Sequence, residues 1–495
     1  MSTSAALQLR RLPDLRLPFI LAAALGTLAV LFQAVNPAFL CGLIFALVAS
    51  VYALFRPWPG FLAYLVSIQF VDFVKRVSLA FGNPSMTEWY GIVVVPDLIL
   101  LASTVGLVLS AQSSPHNSKF RLVERFLWAY ASWYTIRSLW TAAPLSNSVA
   151  QWKSFIPYLG CFYFGACFIE RKARIRSVLS ILAVITALAS LYALFQVTVG
   201  LTGFERRWLF NEHTRLLPGT ILYGDDIPRA FSFYSDPWTF GYTTAWVLTL
   251  LLFWRKGAVH RLWNSVWIMA VLVLGLLSTV ARGTWTLASL GIGVYMWTQV
   301  LKTRTRKLIF ALVATIIVFF AVDQFESLAE STSPFLARAL FTSTYSDRAE
   351  SFSNLLSRGI LGSVIGDGVA SAPGSANLAH SGNLGSYLVH DYLTESLLDI
   401  GWVGFGLFIA IIVSTVRRPY PEWLGQLAPA LVAMVLGIPL MAVLFGGVML
   451  DRATTTLLWL SMGVLCGDVS AAPLESRVGL TTPRGLMENR ALLDT

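Results

Sequence analysis

Charge is scarce in this chain: 13% of its 495 residues are charged and 56% are hydrophobic, where an ordinary soluble domain carries about 25% charge. That shortage excludes a water-soluble globule, because only lipid can solvate so much apolar surface. Cysteine is scarce too. Cys41, Cys161, Cys167 and Cys466 all sit inside apolar runs, none at a spacing that ligates a metal, so they read as small packing residues. No basic face is present either; the formal charge of +10 comes from residues scattered over short loops, which excludes nucleic acid as a partner. Arg10, Arg11 and Arg16 precede an apolar run over 17–35, but no small-residue cleavage site follows, and this segment reads as an uncleaved first helix. The chain shows no internal repeat.

What is present is a succession of apolar runs: 17–35, 38–55, 60–81, 91–111, 123–140, 152–169, 177–199, 238–254, 262–281, 284–301, 307–325, 393–416, 427–449 and 454–470. A bilayer demands about twenty apolar residues per helical crossing. The expected fold is therefore all-α, a polytopic transmembrane helical bundle of about 12–14 spans. Asp72, Lys75 and Arg76 interrupt the third run, and Arg137 closes the fifth. Basic residues fall in every second connection: Arg56; Lys119, Arg121 and Arg125; Arg171, Lys172, Arg174 and Arg176; Arg255, Lys256 and Arg261; Lys302, Arg304, Arg306 and Lys307; Arg417 and Arg418. By the positive-inside bias, both termini are cytoplasmic. Two long connections, 200–237 and 326–391, then lie on the outer, periplasmic side. They carry arginines on the disfavoured face, among them Arg206, Arg207, Arg215, Arg229, Arg338, Arg348 and Arg358, and cations placed there at a cost point to an anionic ligand.

Four stretches carry chemistry-bearing residues. Arg229-Ala230-Phe231-Ser232 runs to Asp236-Pro237-Trp238 at the mouth of a span, a pattern that an aromatic belt with an anchoring arginine also produces. Ala281-Arg282-Gly283-Thr284-Trp285 interrupts two apolar runs, where an arginine can simply snorkel to headgroups. Asp347-Arg348-Ala349-Glu350 precedes Gly366-Asp367-Gly368, which lacks the lysine of a phosphate loop and reads as a tight turn. His390-Asp391-Tyr392-Leu393 opens the next span, and in a helix starting near His390 the acids Asp391, Glu395 and Asp399 share one face. Taken singly, His390 reads equally as a helix-end residue bonded to backbone. The Asp225-Asp226 pair has carboxylates suited to a divalent cation but reads as solvated surface, and no metal is expected.

In this order and on one membrane face, the set R-x-F-S-x-x-x-D-P at Arg229 to Pro237, A-R-G-T-W at Ala281 to Trp285, D-R-A-E at Asp347 to Glu350, G-x-G at Gly366 to Gly368 and H-D-Y-L from His390 resembles the bacterial O-antigen ligase and O-antigen polymerase superfamily, type C glycosyltransferases. The resemblance covers roughly 170–415; the preceding spans match only in hydrophobicity. It departs at Asp391, where the family has asparagine, and at Asp399, where it has glutamate. The domain division it implies is 1–170 for N-terminal helices, 171–416 for the catalytic core with both outer loops, 417–470 for C-terminal helices and 471–495 for a cytoplasmic tail.

The resemblance implies a bacterial inner-membrane enzyme of surface polysaccharide synthesis, with no metal or cofactor. Its donor is an undecaprenyl-pyrophosphate-linked glycan and its acceptor a glycan or lipid A-core. The implied partners are membrane lipids and a polysaccharide chain-length regulator or export proteins. His390, Arg348, Arg229 and Arg282 are the catalytic candidates; Arg215, Asp391, Glu395 and Asp399 are the substrate-binding candidates. Polymerase and ligase stay open, with the two long loops leaning toward polymerase. The reading from another class is a transporter or flippase for a lipid-linked or anionic substrate, since charges such as Asp72, Asp97 and Arg282 inside spans also mark translocation paths.

Overall fold

The computed structural model describes residues 37–78, 86–110, 118–141, 143–168, 172–209, 222–223, 227–254, 266–301, 303, 305, 364–369, 371, 392–417, 419–421, 424–445 and 451–467. The apolar runs 17–35 and 307–325, most of the second long connection and the tail lie outside them. The described chain is helical: α1 (Pro37–Phe55), α2 (Pro57–Ser78), α3 (Met86–Leu109), α4 (Ser118–Leu139), α5 (Leu145–Phe155), α6 (Gly160–Phe168), α7 (Lys172–Thr198), α8 (Gly203–Leu209), α9 (Pro237–Trp254), α10 (Val266–Ser278), α11 (Arg282–Tyr295), α12 (Tyr392–Val416), α13 (Leu427–Phe445) and α14 (Arg452–Cys466). The exception is a minimal antiparallel ladder, β1 (Leu222–Tyr223) with β2 (Ile227–Pro228), in the register Leu222 to Pro228 and Tyr223 to Ile227.

Local chemistry sets several boundaries. Pro57 cannot continue α1 and suits the first position of α2, so the chain breaks at Arg56. Asp451 caps α14 by accepting the Thr454 amide at 3.0 Å. Among the described residues three stretches are long and apolar enough to cross a membrane: Gly91–Leu109, Arg174–Thr198 and Ser396–Val416. Ile44–Phe55, Val266–Ser278 and Leu427–Val443 are shorter apolar helices. Phe55, Val108 and Leu109 are 71%, 71% and 72% exposed. Such large apolar side chains, repeated along α1, α3 and α7, make a surface that suits lipid rather than water.

The chain forms two compact units that interleave along the sequence. The first takes Met1–Ser110, Ile181–Thr244 and Val266–Ala281; the second takes Ala111–Ser180, Ala245–Ser265 and Arg282–Thr495. In the first, α3 packs on α1 and α2, and Gly60 of α2 leaves room for Ala53 and Ser103. In the second, α4 packs on α12, α6 on α14 and α11 on α13. Its centre is Trp459, wholly buried, with the rings of Phe155 and Phe408 at 6.0 and 6.2 Å. Cys161, Cys167 and Cys466 are buried as thiols rather than in a disulfide, matching small packing residues.

α6 and α14 approach through glycine. A Cβ on Gly165 would fall 2.5 Å from the Leu460 carbonyl oxygen, and one on Gly463 would overlap the Phe162 carbonyl. Small residues let two helix backbones meet closely. Gly463→Ala should therefore lower stability by roughly 1–3 kcal/mol, as overpacking does. Gly293→Ala, where nothing lies within 4 Å, is the control and should leave the melting midpoint in detergent unchanged or slightly raised.

Candidate functional site

Of the sequence candidates, Arg229, Arg282 and Asp399 fall on described side chains, and Glu395 belongs to α12. His390, Arg348, Arg215 and Asp391 lie outside the described residues, as does the Asp225-Asp226 pair. Arg229 follows β2 directly and is half-buried, with its guanidinium 5.9 Å from the centre of the Trp238 ring. The residues after it are tied down by hydrogen bonds on several sides. The Ala230 amide donates to the Ser278 carbonyl at 3.0 Å, and the Phe231 and Ser232 amides donate to Gln196 Oε1 at 3.2 and 2.8 Å. Ser232 Oγ donates to the Ala189 carbonyl, and Tyr234 Oη donates to Gln69 Oε1 at 2.7 Å. Ser232 adopts a left-handed backbone, φ 52°, which a non-glycine residue adopts only where its surroundings impose it.

Under this segment lies an ion pair that sequence reasoning missed. Arg76 Nη1 stands 3.4 Å from Glu205 Oε1, both side chains at 0% exposure. Nη2 of the same arginine donates to the Ser232 carbonyl, and its guanidinium lies 4.6 Å from the centre of the Phe231 ring and 5.4 Å from that of Trp208. Glu205 also accepts from Gln196 Nε2 at 2.6 Å, Tyr192 Oη at 3.1 Å, and the Thr202 amide and hydroxyl at 2.9 and 2.8 Å. The signal was available. A cation inside an apolar run needs a partner, but Glu205, beside Arg206 and Arg207, carries no local sign of pairing with Arg76.

The end of α10 turns sharply toward the second arginine. The Thr279 and Val280 amides donate to Leu276 and Leu277 carbonyls, each at 3.2 Å, and the Thr279 hydroxyl accepts the Ala281 amide at 3.3 Å. Val280 has φ 49°. That is costly for a β-branched residue. Arg282 then opens α11.

In the second unit, the turn read from Gly366-Asp367-Gly368 is present, with φ of 75° at Gly366 and 108° at Gly368. It docks on a break in α12 at Gly401, φ 67° and ψ −176°, a conformation open essentially only to glycine. The break exposes carbonyls, and the protein takes them up. Asp367 and Gly368 amides donate to Leu398 and Asp399 carbonyls at 2.6 and 3.1 Å, and Trp133 Nε1 donates to Ile400 at 2.8 Å. Arg137, buried near the end of α4, donates to the Gly366 carbonyl at 2.7 Å. The Asp399 carboxylate, 3% exposed, accepts from Gln151 Nε2 at 2.8 Å and from Ser371 Oγ at 3.3 Å. The carboxylate thus bonds the chain just beyond the turn, at Ser371.

Compared with protein-family models, with curated proteins and with solved structures, the chain matches none. Among the described residues no three His, Cys, Asp or Glu side chains gather as they would around a metal ion.

Asp236, from the D-P pair, caps α9. Its carboxylate accepts the Thr239 amide, the Thr239 hydroxyl and the Ser235 hydroxyl, each at 2.8 Å, with Pro237 in the first helical position. Burial pushes this carboxyl above the usual carboxylate range despite those bonds, and the nearby Asp72 adds to the rise. The folded state thus holds the Asp236 proton more tightly than the unfolded state, and stability falls as pH rises from the unfolded value, about 3.8, through the folded one. Asparagine caps as well without the charge. Asp236→Asn should keep the fold and be at least as stable as the parent at pH 7, and the advantage should vanish in acid. Unfolding midpoints of both proteins across that range test it; an advantage that instead grows on acidification contradicts the shift.

Proposed function

We propose that the protein is a polytopic inner-membrane glycosyltransferase of the O-antigen ligase and polymerase kind, with its long connections periplasmic, and that it transfers undecaprenyl-pyrophosphate-linked glycans, the two long connections leaning toward polymerisation over ligation to lipid A-core. The observation that carries the proposal is where strain is kept. Among the described residues Ser232 and Val280 are the non-glycine positions with a left-handed backbone, and each lies within three residues of a motif arginine, Arg229 or Arg282. Strain of roughly 1–3 kcal/mol per residue persists where the surroundings over-determine it, and functional sites are where it collects.

The chemistry that suits fixed guanidinium groups is pyrophosphate departure. The acceptor hydroxyl attacks the anomeric carbon, the bond from that carbon to the pyrophosphate oxygen breaks, and the leaving group takes the negative charge. Arg229, Arg282 and Arg348 receive that charge through paired N–H donors, which lysine cannot reproduce. His390 takes the hydroxyl proton, its ordinary pKa of about 6.5 lying near working pH. Arg215, Asp391 and Glu395 hold the glycan, while Asp399, bonded to Gln151 and Ser371, serves as an orienting group.

The transporter reading has less support. In transporters a broken helix leaves carbonyls open to coordinate ions, whereas the carbonyls of Leu398, Asp399 and Ile400 are taken up by Asp367, Gly368 and Trp133.

Arg229→Lys and His390→Ala in purified protein, assayed with a lipid-pyrophosphate glycan donor in chelator, test the proposal. Transfer should fall about 10²–10³-fold for the arginine, as for a lost transition-state donor, and about 10²–10⁴-fold for the base. Arg56→Lys, an exposed change outside the motifs and the long connections, should retain full activity. Full turnover by Arg229→Lys would falsify the clamp.

A further inference from the structure

The buried ion pair of the first unit is not part of any motif, and its geometry has a consequence for the Arg229 segment. We propose that Arg76 and Glu205 are a positioning pair whose role is to hold the backbone from Ala230 to Ser232 in its strained form and so aim Arg229; only what the Arg229 guanidinium binds rests on the glycan-transfer reading.

The chain of contact is short and continuous. Glu205 holds Gln196 by its amide nitrogen at 2.6 Å, and the amide oxygen of the same side chain accepts from Phe231 and Ser232. Arg76 holds the other side of Ser232 through its carbonyl and presents its guanidinium to the Phe231 ring. Both polar groups of the Ser232 backbone are therefore bonded to members of one network, and the positive φ follows from satisfying both. An arrangement serving stability alone would gain little from charge here: replacing a buried pair by apolar side chains of similar volume is often neutral or stabilising, while removing one partner leaves an uncompensated charge. The network also reaches the span end through Arg76 Nε, which donates to the Asp72 carbonyl at 3.3 Å, and the loop through Thr202. Three separate stretches, α2, the end of α7 with α8, and the Arg229 segment, are thus referred to one guanidinium. A lysine in place of Arg76 keeps the charge but cannot bond Glu205 and the Ser232 carbonyl together while lying flat on Phe231.

The test uses the full chain in detergent or nanodiscs, with the double variant Arg76→Met/Glu205→Met, which removes both charges at once, and with Arg76→Lys. The first readout is hydrogen exchange of the peptide containing 229–234. Loss of the bonds that hold it should speed exchange by about tenfold or more, with α1 and α3 unchanged. The second readout is transfer: kcat should fall by about a hundredfold, as misplacement by an ångström does, with KM changing far less and the melting midpoint near the parent's. Arg76→Lys should fall between parent and double variant on both readouts. Unchanged exchange in the double variant, or in Arg76→Lys if the double variant fails to insert, overturns the proposal. Looser exchange with an undiminished kcat overturns the aiming role as well. A parent protein that transfers no glycan sinks the functional reading instead, and the exchange result still decides whether the pair holds the segment.

Discussion

A guanidinium and a carboxylate with no exposed surface must satisfy each other, and the geometry of the first unit follows from how they do it. Arg76 and Glu205 stand at 0% exposure, where an unpaired charge costs several kcal/mol in a low-dielectric setting. The carboxylate collects donors from Tyr192, Gln196 and Thr202, and the guanidinium collects the Ser232 and Asp72 carbonyls and the Phe231 ring. Bonds with so many partners tie α2, α8 and the segment after Arg229 together. Rigidity of that kind is what a site built on loops must borrow from the elements beneath it.

The second unit meets a different constraint with the same logic. A helix interrupted within an apolar bundle exposes carbonyls that no water is there to bond, so every break needs its own donors. The Gly401 break in α12 finds them in the Gly366–Gly368 turn and in Trp133, and the turn is itself held by Arg137 and Asp399. A Cβ on Gly366 would stand 2.6 Å from the Gly401 nitrogen, so the glycines of turn and break are matched to each other. Residues 366–368 of the second long connection are thereby fixed to α12.

The helices were legible in the sequence because twenty apolar residues admit few other readings, and helices occupy each apolar run that falls on described residues. The tight turn at Gly366–Gly368 was legible from its glycines. What escaped reading were partners far apart in the chain. Arg76 appeared only as an interruption of a span, and nothing local tied it to Glu205 or to Ser232. Spacing alone puts Asp399 with Asp391 and Glu395 on an acidic face; its bonds to Gln151 and Ser371 join residues 248 and 28 positions away, which periodicity does not encode. The strained φ at Val280 has no sequence signature, since valine is among the residues least suited to it.

Whether a glycosidic bond forms at this protein is tested most directly on the unmodified chain. Reconstituted in proteoliposomes with an undecaprenyl-pyrophosphate oligosaccharide, in chelator and with no other protein, it should yield lipid-linked glycans of increasing length. Free undecaprenyl pyrophosphate should appear in step with each new linkage. Movement of the intact donor between leaflets, with no lengthened glycan and no released carrier, would contradict the account and favour a transporter.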